Sequence, residues 1–380
     1  MMDFIDIADV SRKMKYEDIL SIRLIKEAAK RAALNKAKTR SDLRHFMDNF
    51  NTCIEKIYKD LLNRNYTPSG YHKFKIYDRK PRIIYGPSFR DSVVQQLLYA
   101  ELYPRIEKYI IKMNTGCRKE NGLRSNMQYV RKELERYDEE LYYIHFDVRK
   151  FFYSLKHDLI IKKFRKLTND KDVLELIARF LPPEPGATVG IPIGNLLSQI
   201  IGLFILNDLD HFIKRDLKVK SYIRYVDDFL LIGLTKERTV EIRKRVKEFL
   251  KENLDLELSK ELTQKIKHGV NFCGYRVFNN KILTRKKNIK KFVNSIKHGN
   301  TEAIVSLLEY ANKTSAYNFY KKLLIEYSNK YDIILPLKVA KKIGFNYSYL
   351  GEMSIETKKY RTRWRRKKKK GKNNGVEESS

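Results

Sequence analysis

Three aspartates sit where a carboxylate is hard to accommodate. Asp147 lies in the apolar run LYYIHFDV, residues 141–148, and Asp227 and Asp228 interrupt KSYIRYVDDFLLIGL, residues 220–234. Both runs are short, aromatic and β-branched, which is the pattern of buried strands. A charge beside apolar side chains is strongly destabilising unless it is paired or binds a metal. Taken alone, Asp227-Asp228 suits a polar hairpin turn, and Asp147 suits a strand-end or helix-capping acid. Brought together on adjacent strands, the three supply an oxygen-rich site that takes hard cations such as Mg2+. Two such ions about 3.5–4 Å apart activate a hydroxyl and stabilise a leaving pyrophosphate, the chemistry of nucleotidyl transfer.

The charge balance points the same way. Lys and Arg number 79 against 46 Asp and Glu, a formal net charge of +33. A surface that positive needs an anionic partner, with nucleic acid the first candidate. The 42% hydrophobic and 12% aromatic content provides a folded core. A length of 380 residues exceeds what one core usually supports, so two or three subdomains are expected. The three cysteines, Cys53, Cys117 and Cys273, are too scattered for a disulfide framework or a zinc knuckle and suit a reducing cytosol. The seven histidines form no H-x3-5-H or HExxH pattern. The longest apolar stretch, near Ile200–Leu206, is short for a bilayer span, and the N-terminus lacks the apolar core of a signal peptide. These features exclude secreted, transmembrane and collagen-like classes; a cytoplasmic protein without a membrane partner is expected.

Residues 1–66 read as a helical extension, because Tyr16–Leu34 and Leu43–Leu62 repeat apolar residues at three- and four-residue spacing. After a turn at 65–71, YHKFKIYD and RIIYG form a hairpin with basic residues at its tip, followed by an amphipathic helix over 88–110. A second region starts near Glu139. It holds the strand at 141–148, helices at 156–166 and 171–181, a Pro/Gly loop at 181–194 and a very apolar helix at 195–215. Two strands around the paired aspartates come next, then a charged surface helix at 237–253. LDLELS and residues 269–284 read as strands, with a turn at Asn279–Asn280. Residues 287–335 are helical and basic, and the final charge run has no hydrophobic period, so it is expected to be disordered unless bound.

Five segments resemble, in order, the sequence boxes of reverse transcriptases. YVDD (225–228) is similar to the YxDD box, FDVRKFFYSL (146–155) to the first catalytic box, and GIPIGNLLSQ (190–199) to the box between them. KPRIIYGPSFRDSVVQQLL (80–98) resembles the upstream fingers segment and GVNFCGYRV (269–277) the downstream primer-grip hairpin. One tetrapeptide is weak evidence, whereas five ordered boxes within about residues 16–330 are specific. The resemblance implies the α+β class: a right-hand polymerase with fingers, an antiparallel-sheet palm and a helical thumb. It sets fingers at 67–138, palm and primer grip at 139–284, thumb at 285–335 and a basic, partly disordered tail at 336–380.

By matching position, the resemblance makes Asp147, Asp227 and Asp228 the catalytic metal carboxylates, with the carbonyl of Val148 a further ligand of two Mg2+ ions. Arg82 stands where a guanidinium grips the triphosphate of the incoming dNTP, and its planar fork suits phosphate oxygens. Lys80 or Arg79 assists it. Phe152 stands where an aromatic packs under the sugar and leaves no room for a 2′-OH, so the product is expected to be DNA. One of Phe151 and Phe152 is expected in the core. Gly194 lets the backbone approach template–primer or nucleotide. Asn195, Ser198 and Gln199 open the next helix, where Asn195 and Ser198 either meet the nucleotide or template or serve as capping residues. The primer grip falls on Phe272, Cys273, Gly274 and Tyr275. Arg285–Lys291 and the helix after it would grip phosphates. Lys358–Lys372, with Trp364, suits single strands or structured RNA, or is an electrostatic tail.

Ile193 and Gln199 depart from the commoner pattern, which has Gln before the glycine and Ser-Pro after it. The IGNxxSQ form resembles the reverse transcriptases of diversity-generating retroelements, and also some uncharacterised and phage-defence bacterial enzymes. An apolar side chain in place of an amide removes a polar group that discriminates between nucleotides, so low fidelity is expected. The resemblance implies a structured template RNA, a cDNA product and a small basic accessory protein. The lysine that protonates pyrophosphate is displaced from its usual slot, leaving Lys260 and Lys265 as candidates. A catalytically silent RNA-binding or splicing protein is the reading from another class; the complete set Asp147, Asp227, Asp228, Arg82 and Phe152 argues against it. With some 45 residues after the proposed thumb, no appended RNase H domain is expected.

Overall fold

The computed structural model describes residues 10–331, apart from 35, 38, 78–80, 119–121 and 313. Lys80, Arg79 and the tail around Trp364 therefore lie outside the described residues. The chain divides into two compact units between His268 and Gly269. That boundary precedes the one at 284 expected from sequence and groups the strands of 269–284 with the helices that follow.

The first unit opens with α1 (Ile22–Ala33), α2 (Ser41–Asp48) and α3 (Phe50–Leu62). Ser21 caps α1 by accepting from the Leu24 amide at 3.5 Å. Ile25, Ala28, Ala29 and Ala32 make its buried face, where small side chains allow close packing on a neighbouring helix. β1 (Tyr71–Tyr77) and β2 (Pro81–Pro87) form an antiparallel hairpin that is largely exposed, as the basic tip implies. α4 (Phe89–Glu107) starts at Ser88, whose hydroxyl accepts from the Asp91 amide at 3.0 Å, and its many buried residues make it a central strut. α5 (Leu123–Leu134) follows; no helix is expected there from sequence. Its buried face includes Asn126 and Glu133, which interrupt the apolar period.

The larger sheet of this unit has four antiparallel strands: β3 (Tyr142–Val148), β4 (Ser221–Tyr225), β5 (Asp228–Leu234) and β6 (Leu258–Lys265), in the order β4-β5-β3-β6. β3 is buried on both faces from Tyr143 to Phe146, which explains its unbroken apolar run. Only Leu258–Ser259 of the LDLELS segment is strand; β6 continues through residues without alternation, because every position of this edge strand except Ser259 is half-covered. Between β3 and β4 come α6 (Phe151–Ser154), α7 (His157–Phe164), α8 (Lys171–Arg179), α9 (Leu196–Ile205) and α10 (Asn207–His211). The window Leu196–Asp216 has the length and mean hydropathy (1.3) of a membrane span, longer than the short apolar stretch expected from sequence, yet 72% of it is buried inside the fold. α11 (Lys236–Leu254) packs Ile242, Val246 and Leu250 inward at helical spacing.

The second unit holds β7 (Val270–Phe272), β8 (Tyr275–Val277) and β9 (Ile282–Thr284) as an antiparallel meander, then α12 (Lys286–Lys297), α13 (Thr301–Ala311) and α14 (Tyr317–Tyr331). Its own core comprises Phe292, Ile296, Ile304, Leu308, Tyr320 and Leu324.

One buried charge in the first unit works against the stability of the fold. Lys163 on α7 is 7% exposed, and its ammonium lies 2.6 Å from Asp208 Oδ2 and 4.9 Å from the Phe204 ring centre. Burial pushes its pKa down to about 8 despite the attraction of Asp208. The unfolded chain, with an ordinary value of 10.5, then binds the extra proton between those pH values, so stability climbs with pH across that window. Lys163→Met is expected to stabilise the protein by roughly 1–2 kcal/mol near neutrality, with the gain shrinking as pH rises towards 10. Denaturant unfolding at pH 7 and pH 10 checks this; a loss of stability at pH 7 would show that the ion pair outweighs the burial.

Candidate active site

Strand register gathers the three aspartates. Asp147 on β3 and Asp228 on β5 are direct cross-strand partners. Tyr225 on β4 pairs with Asp228, so Val226 and Asp227 form a two-residue hairpin loop beside them. The first loop position, where mirror-image hairpin turns favour glycine, is Val226 at φ +60°. The Val148 amide donates to the Asp227 carbonyl at 3.2 Å and ties the loop to β3. Asp227 is strongly perturbed: burial, then the charges of Asp147 and Asp228, push its pKa up to about 6, against the pull of Arg82.

The neighbouring carboxylates engage protein donors. His145, 2% exposed, bonds Asp228 through Nε2, and the Lys260 ammonium donates to His145 Nδ1 at 2.6 Å. Ser259 donates its hydroxyl to the Asp147 carboxylate. Of the two lysine candidates, Lys260 is the strand partner of Asp147, whereas Lys265 pairs with Tyr142 at the other end of β3 and binds Glu140 at 2.6 Å. Among the described residues, no group of three His, Cys, Asp or Glu side chains is drawn tightly enough together to hold a metal ion. The donor set still fits a hard divalent cation: it is all oxygen, and the repulsion that raises Asp227 is what a cation relieves.

The flanking segments are positioned by specific contacts. Arg82 is exposed on β2 opposite Ile76. The Tyr85 amide donates to the Ile193 carbonyl at 2.8 Å, docking the 190–194 loop on β2. Gly194 has φ +109°, and a Cβ there would lie 2.5 Å from Ile84 Cγ2. The fit of this loop against β2 thus already requires glycine. Asn195, 2% exposed, accepts from the Ser198 amide at 2.7 Å, so it is a helix cap. Ser198 is 3% exposed, whereas Gln199 faces solvent. Gln95 on α4, unmarked by the sequence, accepts from the Leu196 and Leu197 amides at 3.2 and 3.4 Å and helps hold this helix start. The two aromatics divide as expected: Phe151 is core, while the half-buried Phe152 lies on Gly202. In the second unit, Phe272, Cys273, Gly274 and Tyr275 form a tight hairpin, with Cys273 at φ +44° and Gly274 at +93°, and Tyr275 stacks on Tyr310 at 4.4 Å.

Sequence reasoning missed a buried pair behind the turn. Arg224 and Asp210 are both fully buried and joined by two hydrogen bonds of 2.6 Å. Arg224 interrupts an apolar strand just as the aspartates do, but in a chain with 79 basic residues it does not stand out.

An antiparallel sheet presenting clustered carboxylates, together with a separate helical unit, defines the right-hand polymerase class in the α+β fold. The model of the reverse transcriptase (RNA-dependent DNA polymerase) family matches residues 72–277, and the chain belongs to that family. It is 21% identical over 350 residues to the group II intron-encoded protein LtrA of Lactococcus lactis subsp. cremoris, an alignment covering 72% of this chain. The alignment spans 57% of LtrA. Among solved structures, telomerase from Candida albicans in complex with a TWJ fragment of telomeric RNA is similar at a TM-score of 0.46 and 12% identity, covering 82% of this chain and 62% of that one. Apo telomerase from Candida tropicalis, truncated from the C-terminal domain, gives a TM-score of 0.41 at 13% identity, covering 57% and 55%.

Proposed function

We propose that the chain is an RNA-directed DNA polymerase that makes cDNA from a structured RNA template by two-metal nucleotidyl transfer. The observation that carries this reading is the cross-strand pairing of Asp147 with Asp228 beside the Asp227 turn. Asp147, Asp227, Asp228 and the Val148 carbonyl would hold two Mg2+ ions, which supply activation of the primer hydroxyl and neutralisation of the leaving pyrophosphate. Arg82 binds the triphosphate of the dNTP, whose negative charge complements its guanidinium. Phe152 excludes a 2′-OH from the sugar site. Lys260, held by His145 next to the carboxylates, is the proton donor to pyrophosphate. The hairpin at Phe272–Tyr275 grips the primer, and the basic face of α12 holds phosphates.

The proposal extends to a diversity-generating role in the cytoplasm, with a small basic accessory protein. Ile193 supports it: this apolar side chain stands where an amide would enforce correct pairing, so copying is error-prone. Primer extension on RNA with dNTPs and Mg2+, with Asp227→Ala as control, tests the activity. Purification with the native RNA, followed by sequencing of RNA and cDNA, tests the role. Single-pass cDNA substituted at template adenines is the expected product; accurate, repetitive or untemplated cDNA would favour a phage-defence enzyme instead. Ile193→Gln is expected to lower the substitution rate several-fold, as restored polar discrimination implies. An unchanged error spectrum would sink the fidelity argument.

A further inference from the structure

We propose that Arg224 is a positioning residue for Asp227: anchored on Asp210, its guanidinium holds Val226 in the left-handed conformation that presents the Asp227 carboxylate. This inference rests on the reading of Asp227 as a metal carboxylate. Arg224 directly precedes Tyr225 and the turn on β4 and is fully buried. Its Nε and one terminal nitrogen each donate to an Asp210 oxygen at 2.6 Å, and that nitrogen also reaches the Leu203 carbonyl at 3.2 Å. The remaining nitrogen donates to the Val226 carbonyl at 2.7 Å. Asp210 is fixed in turn by the Tyr222 hydroxyl at 2.7 Å and Asn114 Nδ2 at 3.3 Å.

A buried ion pair by itself is a poor stabilising device, because desolvation offsets the attraction and apolar residues of similar volume often do as well. Such residues cannot replace its donation to the Leu203 and Val226 carbonyls, and of these only the bond to Val226 acts on the turn. The bond is needed because a β-branched residue at φ +60° is an outlier, tolerated only where its surroundings over-determine it. A second constraint acts on the same loop. The Arg224 amide donates to the Met113 carbonyl and the Thr115 amide to the Arg224 carbonyl, each at 2.9 Å, so residues 113–116 run alongside β4. A Cβ on Gly116 would lie 2.6 Å from the Val226 nitrogen and 2.8 Å from its Cγ2. Gly116 itself is outside the left-handed region, so alanine there meets the turn without straining its own backbone.

The test is a double-mutant cycle of Arg224→Lys and Val226→Gly in the full chain. It reads the Mg2+ concentration for half-maximal dNTP incorporation, the KM for primer–template, and the melting temperature. Lysine keeps the charge opposite Asp210 but loses the fork. Arg224→Lys is expected to raise the half-saturating Mg2+ roughly tenfold, with KM changed by less than about twofold. In the Val226→Gly background, where glycine adopts the turn freely, the same substitution is expected to shift it by less than about threefold, although the loss in melting temperature is equal in both. Equal Mg2+ shifts in the two backgrounds would mean that the ion pair is structural only. Gly116→Ala, which leaves the ion pair intact, is expected to raise the Mg2+ requirement as well. If Arg224→Lys does not fold, this variant tests the link between the turn and the metal on which the proposal depends, and an unchanged requirement overturns it. An active Asp227→Ala variant would remove the reading of the site and this inference with it; an inactive one beside equal shifts would overturn the inference alone.

Discussion

Asp227→Asn is expected to lower nucleotide incorporation by at least about a thousandfold while making the protein more stable in divalent-free buffer. Both effects come from one arrangement. The β3–β5 register puts Asp147 against Asp228, and the hairpin loop adds Asp227 at their side. Burial first, and then charge crowding, drive the Asp227 pKa up to about 6. In the absence of a cation, three carboxylates repel one another and the fold bears that repulsion. Asparagine keeps the shape of the side chain and removes one buried charge, so the melting temperature should rise by about 1–2 °C for each kcal/mol of relieved burial and repulsion. Loss of an anionic ligand removes several kcal/mol of transition-state stabilisation, which sets the size of the kinetic effect. Single-turnover extension on an RNA template gives the rate, and melting in EDTA gives the stability. If Asp227 were only a polar turn residue, the substitution would leave the rate near that of the parent.

The sequence made these acids legible because their cost is local: a charge inside an apolar strand is visible without knowing the fold. The same reasoning separates Phe151 from Phe152 only in part, since it says that one belongs to the core but not which. Other features are hidden for physical reasons. α5 buries Asn126 and Glu133 on its inner face, and a helix whose buried side is partly polar carries no clear period. β6 is an edge strand with every position but Ser259 half-covered, so its residues do not alternate. Gly194 announces a close approach but not the partner, and Ile84 of the β1–β2 hairpin fills that place. Arg224 and Asp210 lie fourteen residues apart, and only the packing of α10 against the β4 strand shows that they form one unit.

With Phe152 as the proposed sugar gate, Phe152→Ala is expected to raise the use of ribonucleotides relative to deoxyribonucleotides by about a hundredfold, because a steric discrimination disappears with the ring. The structure explains how the ring is held. Gly202 on α9 lies directly beneath it, and a Cβ there would be 3.3 Å from both Cε1 and Cζ of Phe152. Phe151 supports the pair edge-on, with ring centres 5.2 Å apart at 64°. These contacts make a shelf, so the ring position can be moved as well as removed. Gly202→Ala should lift the ring by a few tenths of an ångström and reduce dNTP incorporation, without opening the site to ribonucleotides. Phe151→Ala, by contrast, creates a cavity in the core and is expected to cost about 3–5 kcal/mol of stability. Its sugar preference should stay much closer to that of the parent than that of Phe152→Ala. Competition between a dNTP and its ribonucleotide in primer extension separates the three variants. Equal sugar selectivity in Phe152→Ala and the parent would assign Phe152 to packing and leave the sugar gate to another residue.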